Sequence, residues 1–266
     1  MAEIITSLQN TKIKNIIKLE KTAERKAQNL TKIEGLREFF IALEAGIEVK
    51  TVFICSEIID EKSKTKIEKS IHNSNIIYIT KAVFEKVAYR ENSDGIIGLV
   101  TPKELKFSQI KLSANPLIII LESVEKPGNL GAILRTADAA KVDAVIICDP
   151  KTDTYNPNTI RSSVGCVFAN QVVVCTTDEA IVWLRKNNIR SYAAALTSKQ
   201  HYHQMNLSGS VAFVMGTEAL GLSEKWLKGA DEQIKIPMAG KIDSLNVSTS
   251  CAILVFEAMR QRGFNH

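Results

Sequence analysis

Residues 117–121, Leu-Ile-Ile-Ile-Leu, constrain the fold of this chain more than any other stretch. Five consecutive apolar residues without polar alternation are typical of a strand that is buried on both faces of a parallel sheet. A Pro-Gly turn and a helix over residues 130–140 follow, and residues 144–148 form a second apolar strand. Because parallel strands need crossover connections that are usually helical, this pattern predicts a parallel α/β sheet.

The alternation of strands and helices extends along the whole chain. In the second half it predicts strands at 171–175, 191–196, 211–215 and 232–236, and helices at 160–169, 179–186 and 247–262. In the first half it predicts helices at 7–29 (with a break near Glu20), 36–45, 57–72 and 82–88, and strands at 52–54, 76–79 and 95–100. The pattern weakens between residues 101 and 116. We therefore expect two α/β domains, residues 1–101 and 116–266, joined by a linker at 102–115 or by a peripheral hairpin.

The cysteines and the apolar runs bear on the compartment. The chain has 5 cysteines, an odd number, and none lies in a C-x-x-C pair. We expect buried free thiols in a reducing compartment. The N-terminus lacks the charged and apolar regions of a signal peptide, and no apolar run approaches the ~20 residues of a membrane span. A cytoplasmic protein is the expectation.

Basic residues are concentrated near the N-terminus. Residues 9–32 carry an excess of five positive charges, which equals the formal net charge of +5 of the whole chain. Such a helix attracts polyanions, of which RNA and DNA are the commonest, although it can equally be a solvated helix face. The candidates for RNA contact in this stretch are Lys12, Lys14, Lys18, Arg25 and Lys26.

A first polar segment follows the strand at 117–121. Asn129 lies where its side chain can cap exposed N–H groups at the start of the helix, and Arg135 comes six residues later, on a similar side of the helix. The segment lacks the G-x-G-x-x-G spacing of dinucleotide-binding folds, which argues against a nicotinamide oxidoreductase. Taken alone, Arg135 can simply pair with Asp138 or Glu122.

Two further segments combine strand ends with small polar residues. Gly216 and Glu218 follow the strand at 211–215, and strand ends are where open α/β sheets bind ligands; Glu218 can also be a helix-start carboxylate without a chemical role. Ser244, Asn246 and Ser248 lie in a loop that ends in the last helix, where such residues often serve only as caps.

Together and in this order, the three segments resemble the SpoU (TrmH) family of RNA 2′-O-ribose methyltransferases, within the SPOUT class. Its N-x-x-x-x-x-R, G-x-E-x-x-G-[LI] and I-P-M…S-L-N-V-S motifs match residues 129–135, 216–222, 236–238 and 244–248. Residues 155–166 resemble the stretch between the first two motifs. The first hundred residues, with Glu34-Gly35 before a helix, resemble the family's substrate-binding domain. One position departs from the family pattern: Lys126 stands where the family has Asp.

The resemblance implies a fold and a cofactor. The fold is a C-terminal parallel-sheet domain with a deep trefoil knot, preceded by a smaller N-terminal α/β/α domain of the ribosomal-protein type that binds RNA. The resemblance further implies a homodimer. The knot loops bind S-adenosylmethionine largely through backbone contacts. The cofactor-binding residues implied are Leu196, Thr197, Gly216, Ile236, Met238, Leu245, Asn246 and Ser248.

The resemblance also implies catalytic roles. Arg135 lies beside the target hydroxyl, with Asn129, Glu218, Ser244 and Asn246 orienting it and the ribose. Since a guanidinium with a pKa above about 12 is a reluctant base, two hypotheses stand: Arg135 deprotonates the hydroxyl after an RNA phosphate perturbs it, or it stabilises the forming alkoxide and clamps the phosphate.

Ribosomal RNA is favoured over transfer RNA because of the type of N-terminal domain, and Arg161 is a further RNA-binding candidate. A catalytically silent RNA-binding homologue is the other function class. The pair His201 and His203 has no third ligand nearby and is typical of a surface turn, so no metal is expected.

Overall fold

The structure is a computed structural model that describes residues 4–72, 75–89, 93–218 and 220–264. The chain forms two compact units: unit 1 comprises Met1–Lys103 and Thr154–Ala169, and unit 2 comprises Glu104–Asp153 and Asn170–His266. The sequence placed residues 154–169 in the second domain, whereas the structure packs them against a strand and a helix of unit 1. The domain boundaries inferred from the sequence stay a prediction.

The helices and strands are numbered in chain order. The first ten are β1 (Ile4–Ile5), α1 (Thr11–Lys18), α2 (Thr22–Gln28), β2 (Thr31–Glu34), α3 (Leu36–Glu44), β3 (Val49–Ile54), α4 (Glu61–Ser70), β4 (Ile76–Ile79), α5 (Lys81–Val87) and β5 (Ile96–Val100). The others are β6 (Leu117–Glu122), α6 (Pro127–Ala139), β7 (Ala144–Cys148), α7 (Pro157–Ser162), α8 (Cys166–Ala169), β8 (Val172–Cys175), α9 (Thr177–Lys186), β9 (Arg190–Ala194), β10 (Val211–Met215), α10 (Glu224–Gly229), β11 (Glu232–Ile234) and α11 (Val247–Gln261).

Unit 1 is built on a mixed five-stranded sheet with the order β1-β4-β3-β5-β2. Strand β5 is antiparallel to both of its neighbours, and the other pairs are parallel. The predicted break in the first helix lies between α1 and α2, where the buried guanidinium of Arg25 donates to the carbonyl oxygens of Leu19 and Glu20. These bonds satisfy carbonyl groups that a helix end leaves without partners.

Unit 2 is built on a six-stranded sheet with the order β11-β9-β10-β6-β7-β8, in which every pair is parallel. This confirms the predicted parallel α/β sheet. The chain moves outwards from β6 through β7 to β8 on one side, while β10, β9 and β11 lie on the other. The strand order therefore changes direction between β6 and β10, and ligands bind open α/β sheets at such a switch point, beyond the carboxyl ends of the strands.

The stretch before β6 does not form a hairpin. It contains a 3₁₀ turn at Phe107–Gln109, and the Phe107 ring stacks on Trp183 with centroids 5.1 Å apart. Phe107, Ile110 and Leu112 pack against the core of unit 2. Most of the predicted linker thus belongs to that unit because its apolar side chains are partly buried there.

The cysteines are free, and four of the five are buried. Cys148 and Cys175 face each other across β7 and β8 with their sulfur atoms 3.9 Å apart. Cys175 is half-buried because β8 is an edge strand. Among the helices formed by the described residues, none combines the length and the apolar character needed to cross a membrane. The trefoil knot stays a prediction.

Candidate active site

Three polar segments that are far apart in the sequence meet beyond the carboxyl ends of β6 and β10. Asn129 lies in the first turn of α6, Glu218 in the loop after β10, and Asn246 directly before α11. Asn246 Nδ2 donates to Asn129 Oδ1 at 3.1 Å and to Glu218 Oε1 at 2.9 Å. Asn129 Nδ2 also donates to Glu218 Oε1. One carboxylate thus ties together the three predicted motifs.

Lys126 completes this network from the residue before α6. Its ammonium group forms an ion pair with Glu218 Oε2, so each carboxylate oxygen of Glu218 accepts hydrogen bonds. The pKa of Glu218 is lowered, above all by the hydrogen bond from Lys126 and then by that from Asn129. Because a hydrogen bond to the charged form favours ionisation, Glu218 is an anionic anchor and a poor proton acceptor.

Asn246 has a second role as the N-cap of α11. Its Oδ1 accepts from the backbone N–H of Ser248 at 2.9 Å and from the Ser248 hydroxyl at 2.6 Å. The predicted cap of the last helix is therefore Asn246, and its amide NH₂ group remains available for the network. A cap of this kind contributes about 1 kcal/mol to stability.

A cavity of about 650 Å³ adjoins the network. Its volume lies within the range of about 300–1,000 Å³ that is typical of small-molecule sites. Seven of the eight predicted cofactor-binding residues line it: Leu196, Thr197, Gly216, Ile236, Met238, Leu245 and Asn246. Ser248 does not, because its hydroxyl and backbone N–H are bonded to Asn246 instead. Its contact with the cofactor stays a prediction.

Other lining residues were not predicted from the sequence. Ala194, Leu222, Leu227 and Val247 add apolar surface, and Lys235 adds a cation. The four apolar side chains do not differ in type from core residues, and Lys235 belongs to no motif, so the sequence alone offers no signal for these positions. The lining is mainly apolar with a few polar groups, which suits a ligand with a flat base and a charged end.

Gly216 permits a tight turn at the mouth of this cavity. Thr217 and Gly221 exchange two backbone hydrogen bonds of 3.0 Å, and Gly221 has a φ of +69°. A Cβ atom on Gly216 would lie 2.3 Å from the carbonyl carbon of Gly221. The turn therefore requires glycine at position 216 because of close backbone approach.

Glu122 fixes the other end of this loop, a role that was not predicted from the sequence. It is buried at the end of β6, where it accepts from the backbone N–H of Ser223 at 2.7 Å and from the Ser223 hydroxyl at 2.6 Å. Thr177 donates to the same carboxylate at 3.3 Å. A polar residue at the end of an apolar strand was the only signal for it.

Arg135 lies apart from the network. Its side chain is exposed, and within the described ranges it has neither a hydrogen bond nor an ion pair, so the suggested pairing with Asp138 or Glu122 is wrong. Six residues of α-helix correspond to about 600° of rotation, which turns Arg135 about 120° away from Asn129. The two side chains therefore do not share a helix side, contrary to the expectation. Ser244 lines the cavity, and its hydroxyl donates to Asp243 at 2.9 Å.

Comparisons with known proteins agree with this geometry. A family model described as the SpoU rRNA Methylase family matches residues 116–256, and a model described as an MRM3-like substrate binding domain matches residues 10–98. The 23S rRNA (guanosine(2553)-2′-O)-methyltransferase RlmP of Bacillus subtilis (strain 168) is 30% identical over 254 residues, which are 95% of this chain and 97% of that enzyme. The chain belongs to the SpoU rRNA methylase family.

Solved structures support this family assignment. A crystal structure of an RNA 2′-O ribose methyltransferase superimposes with a TM-score of 0.85 at 35% identity, covering 97% of this chain and 99% of that one. An AdoMet-bound rRNA methyltransferase from Sinorhizobium meliloti gives a TM-score of 0.88 at 28% identity, covering 97% and 98%. These findings confirm the predicted enzyme class, an RNA 2′-O-ribose methyltransferase, and the predicted cofactor, S-adenosylmethionine.

Lys126, the departure from the SpoU pattern, gives a testable prediction. Replacing it by methionine removes the main cause of the lowered Glu218 pKa, so that pKa is expected to rise towards its ordinary value. A ¹³C carboxylate NMR titration measures it. Because the folded-state pKa is depressed, the stability that ionised Glu218 contributes is present at neutral pH and is lost as the pH falls through that pKa. With Lys126→Met, this loss begins at higher pH.

The matched control is Lys225→Met, which breaks an exposed ion pair with Asp178 elsewhere in unit 2. It is expected to leave the Glu218 titration unchanged. An unaltered Glu218 pKa in Lys126→Met would show that the ion pair does not form in solution.

The RNA-binding candidates of unit 1 divide into two groups. Lys12, Lys14, Lys18 and Lys26 are exposed on α1 and α2. Arg25 is only 3% exposed and is bonded to backbone carbonyl groups of the α1–α2 connection. It therefore holds the two helices together, and its assignment to RNA binding is corrected. Arg161, on α7, is exposed.

The rings of His201 and His203 lie 5.5 Å apart at a short 3₁₀ turn. Within the part of the chain that the structure describes, no group of three or more His, Cys, Asp or Glu side chains is placed to hold a metal ion.

Proposed function

We propose that this enzyme methylates the ribose 2′-oxygen of a guanosine in 23S ribosomal RNA. The observation that supports the proposal most strongly is the joining of Asn129, Glu218 and Asn246 beside the 650 Å³ cavity. The target follows from the names of relatives, which are 23S rRNA guanosine 2′-O-methyltransferases. The other candidate is transfer RNA, which the names of these relatives do not support.

The cavity fits S-adenosylmethionine. Apolar side chains of Leu196, Ile236 and Leu245 suit the adenine ring, and Gly216 borders the cavity without a side chain. When bound, the cofactor would supply a sulfonium methyl group for the ribose 2′-oxygen: its C–S bond would break with the electron pair on sulfur, and the hydroxyl proton would pass to solvent water.

The protein side chains then orient the acceptor. The network around Glu218 fixes the side chains of Asn129 and Asn246, and Ser244 lines the cavity beside it; we assign these three residues to orienting the ribose. Arg135 carries an exposed guanidinium that can bind an RNA phosphate and stabilise negative charge on the 2′-oxygen. We favour this role over that of a base, because a guanidinium holds its proton firmly and keeps its charge while it donates hydrogen bonds.

The exposed lysines of α1 supply affinity for the RNA backbone. Replacing Lys12, Lys14 and Lys18 by alanine is expected to weaken RNA binding and to lower the slope of log affinity against log salt by about two, since each phosphate contact contributes about 0.7 to 0.9. Fluorescence anisotropy at several salt concentrations measures both. Alanine at the exposed Lys62, Lys66 and Lys69 of α4 removes the same charge elsewhere in unit 1 and serves as the control.

The enzyme is proposed to act as a homodimer in the cytoplasm, as the family resemblance implies; analytical ultracentrifugation tests the dimer.

The RNA target is tested by mass-spectrometric mapping of ribose methylation in a deletion strain and a complemented strain. One guanosine of 23S rRNA is expected to lose its methyl group. A lost methyl on transfer RNA alone would exclude the ribosomal target, and failure to bind S-adenosylmethionine in calorimetry would instead indicate a silent homologue.

A further inference from the structure

Unit 1 carries an exposed aromatic ring for which the proposed function has no use so far. Tyr89 lies two residues after the end of α5, and it is 62% exposed. Its backbone N–H donates to Glu34 Oε2 at 2.7 Å, which fixes the main chain at this position against β2. The ring is therefore exposed to solvent, while the backbone that carries it is fixed.

A guanidinium lies over this ring. The Cζ atom of Arg161 is 4.8 Å from the ring centroid of Tyr89, within the range of about 6 Å for a cation–π contact. Arg161 Nη2 also donates to Asn158 Oδ1 at 3.1 Å, and the backbone N–H of Asn158 is tied to the N-cap of α7. Two planar groups from separate segments are thus held together at the surface of unit 1.

The surroundings of this pair distinguish a base from a phosphate. The pair borders a hollow of about 20 Å³ that is also lined by Lys32, Glu34 and Ile160, so a base would stack over the pair without entering the hollow. Lys32 is paired with Glu20, and the carboxylate of Glu34, which accepts from the Tyr89 backbone N–H, repels a phosphate at this place. Glu20 lies two residues after the end of α1, so the hollow is near one end of the helix whose lysines are proposed to bind the RNA backbone.

We propose that Tyr89 and Arg161 form a stacking site for an unpaired nucleobase of the RNA substrate. Aromatic rings and guanidinium planes are the surfaces on which proteins stack unpaired RNA bases, and such stacking tolerates any base because every base has a π face. The inference rests on the proposed function, since it requires that RNA binds to unit 1. The proposed stacking site predicts that unit 1 binds loops or bulges of the RNA more tightly than a continuous duplex.

The test compares two probes on the full-length protein: a fluorescein-labelled single-stranded RNA of about 12 nucleotides and a duplex of equal length. Tyr89→Ala is expected to weaken binding of the single strand about tenfold, since stacking contributes about 1–3 kcal/mol per base. Duplex binding and the salt slope are expected to stay unchanged because no charge is removed. Tyr89→Phe keeps the ring and is expected to bind as the wild type does.

Phe264→Ala removes an aromatic side chain of similar exposure, 57%, from unit 2 and serves as the control, with circular dichroism melting to verify the fold of each variant. Wild-type affinity of Tyr89→Ala for the single strand, or an equal loss for the duplex, would overturn the stacking site, as would a wild-type protein that binds neither probe. A wild-type protein that shows the expected binding pattern without methylating RNA would refute the proposed function and leave the stacking site standing.

Discussion

Replacing Arg135 by alanine is expected to lower kcat by about 10² to 10³-fold, the loss that follows removal of one donor to a developing oxyanion. The guanidinium is exposed and has no partner among the described residues, so its removal leaves no unpaired group in the fold. The affinity for S-adenosylmethionine is therefore expected to stay unchanged. Single-turnover kinetics with rRNA and calorimetry with the cofactor measure the two quantities separately.

Arg135→Lys sharpens this test. Lysine keeps the charge but loses the planar fork that binds phosphate with two hydrogen bonds, so a clear loss of turnover is expected here as well. Arg185→Ala is the control, because Arg185 is an exposed arginine on α9 of the same unit. Wild-type turnover of Arg135→Lys would contradict both hypotheses for Arg135, base and electrostatic stabiliser alike.

Replacing Gly216 by alanine is expected to weaken S-adenosylmethionine binding about 10 to 100-fold. The added Cβ would lie 2.3 Å from the carbonyl carbon and oxygen of Gly221 and 2.6 Å from the backbone nitrogen of Leu222. These are backbone atoms that cannot rotate away, so the loop that lines the cavity must shift, and overpacking of this kind costs about 1–3 kcal/mol. Isothermal titration calorimetry with the cofactor measures the effect.

Gly209→Ala is the matched control in the same unit. A Cβ on Gly209 meets no atom within 4 Å, so this variant is expected to bind the cofactor normally. RNA binding through the lysines of α1 is expected to survive in both variants. Unchanged cofactor affinity in Gly216→Ala would mean that the cavity beside β10 is not the cofactor site.

The fold was predictable where the pattern was strong. Strands β6, β7 and β10 were predicted because their apolar runs are typical of strands that are buried on both faces, as these are. Strand β2 was missed because the polar residues Lys32 and Glu34 are not typical of a core strand. Lys32 is nevertheless buried, because it is paired with Glu20.

The residues of the candidate site that belong to the three motifs were predictable from the sequence. Asn129, Glu218 and Asn246 were found because the motif spacing survives in the sequence, and the structure brings them together. The ion pair of Lys126 was not predicted, because its partner lies 92 residues away along the chain. Similarly, nothing in the basic N-terminal stretch distinguishes the buried Arg25 from its exposed neighbours; only the tertiary structure does.

The central claim is that the cavity, the network around Glu218 and Arg135 together transfer a methyl group to a ribose 2′-oxygen of rRNA. The most direct measurement incubates the purified enzyme with trideuteromethyl S-adenosylmethionine and unmodified 23S rRNA, followed by nuclease digestion and mass spectrometry. The account predicts a deuterated methyl group on the ribose of one guanosine, strongly reduced with Arg135→Ala. A label on a base, or no label with a protein that binds both cofactor and RNA, would contradict it.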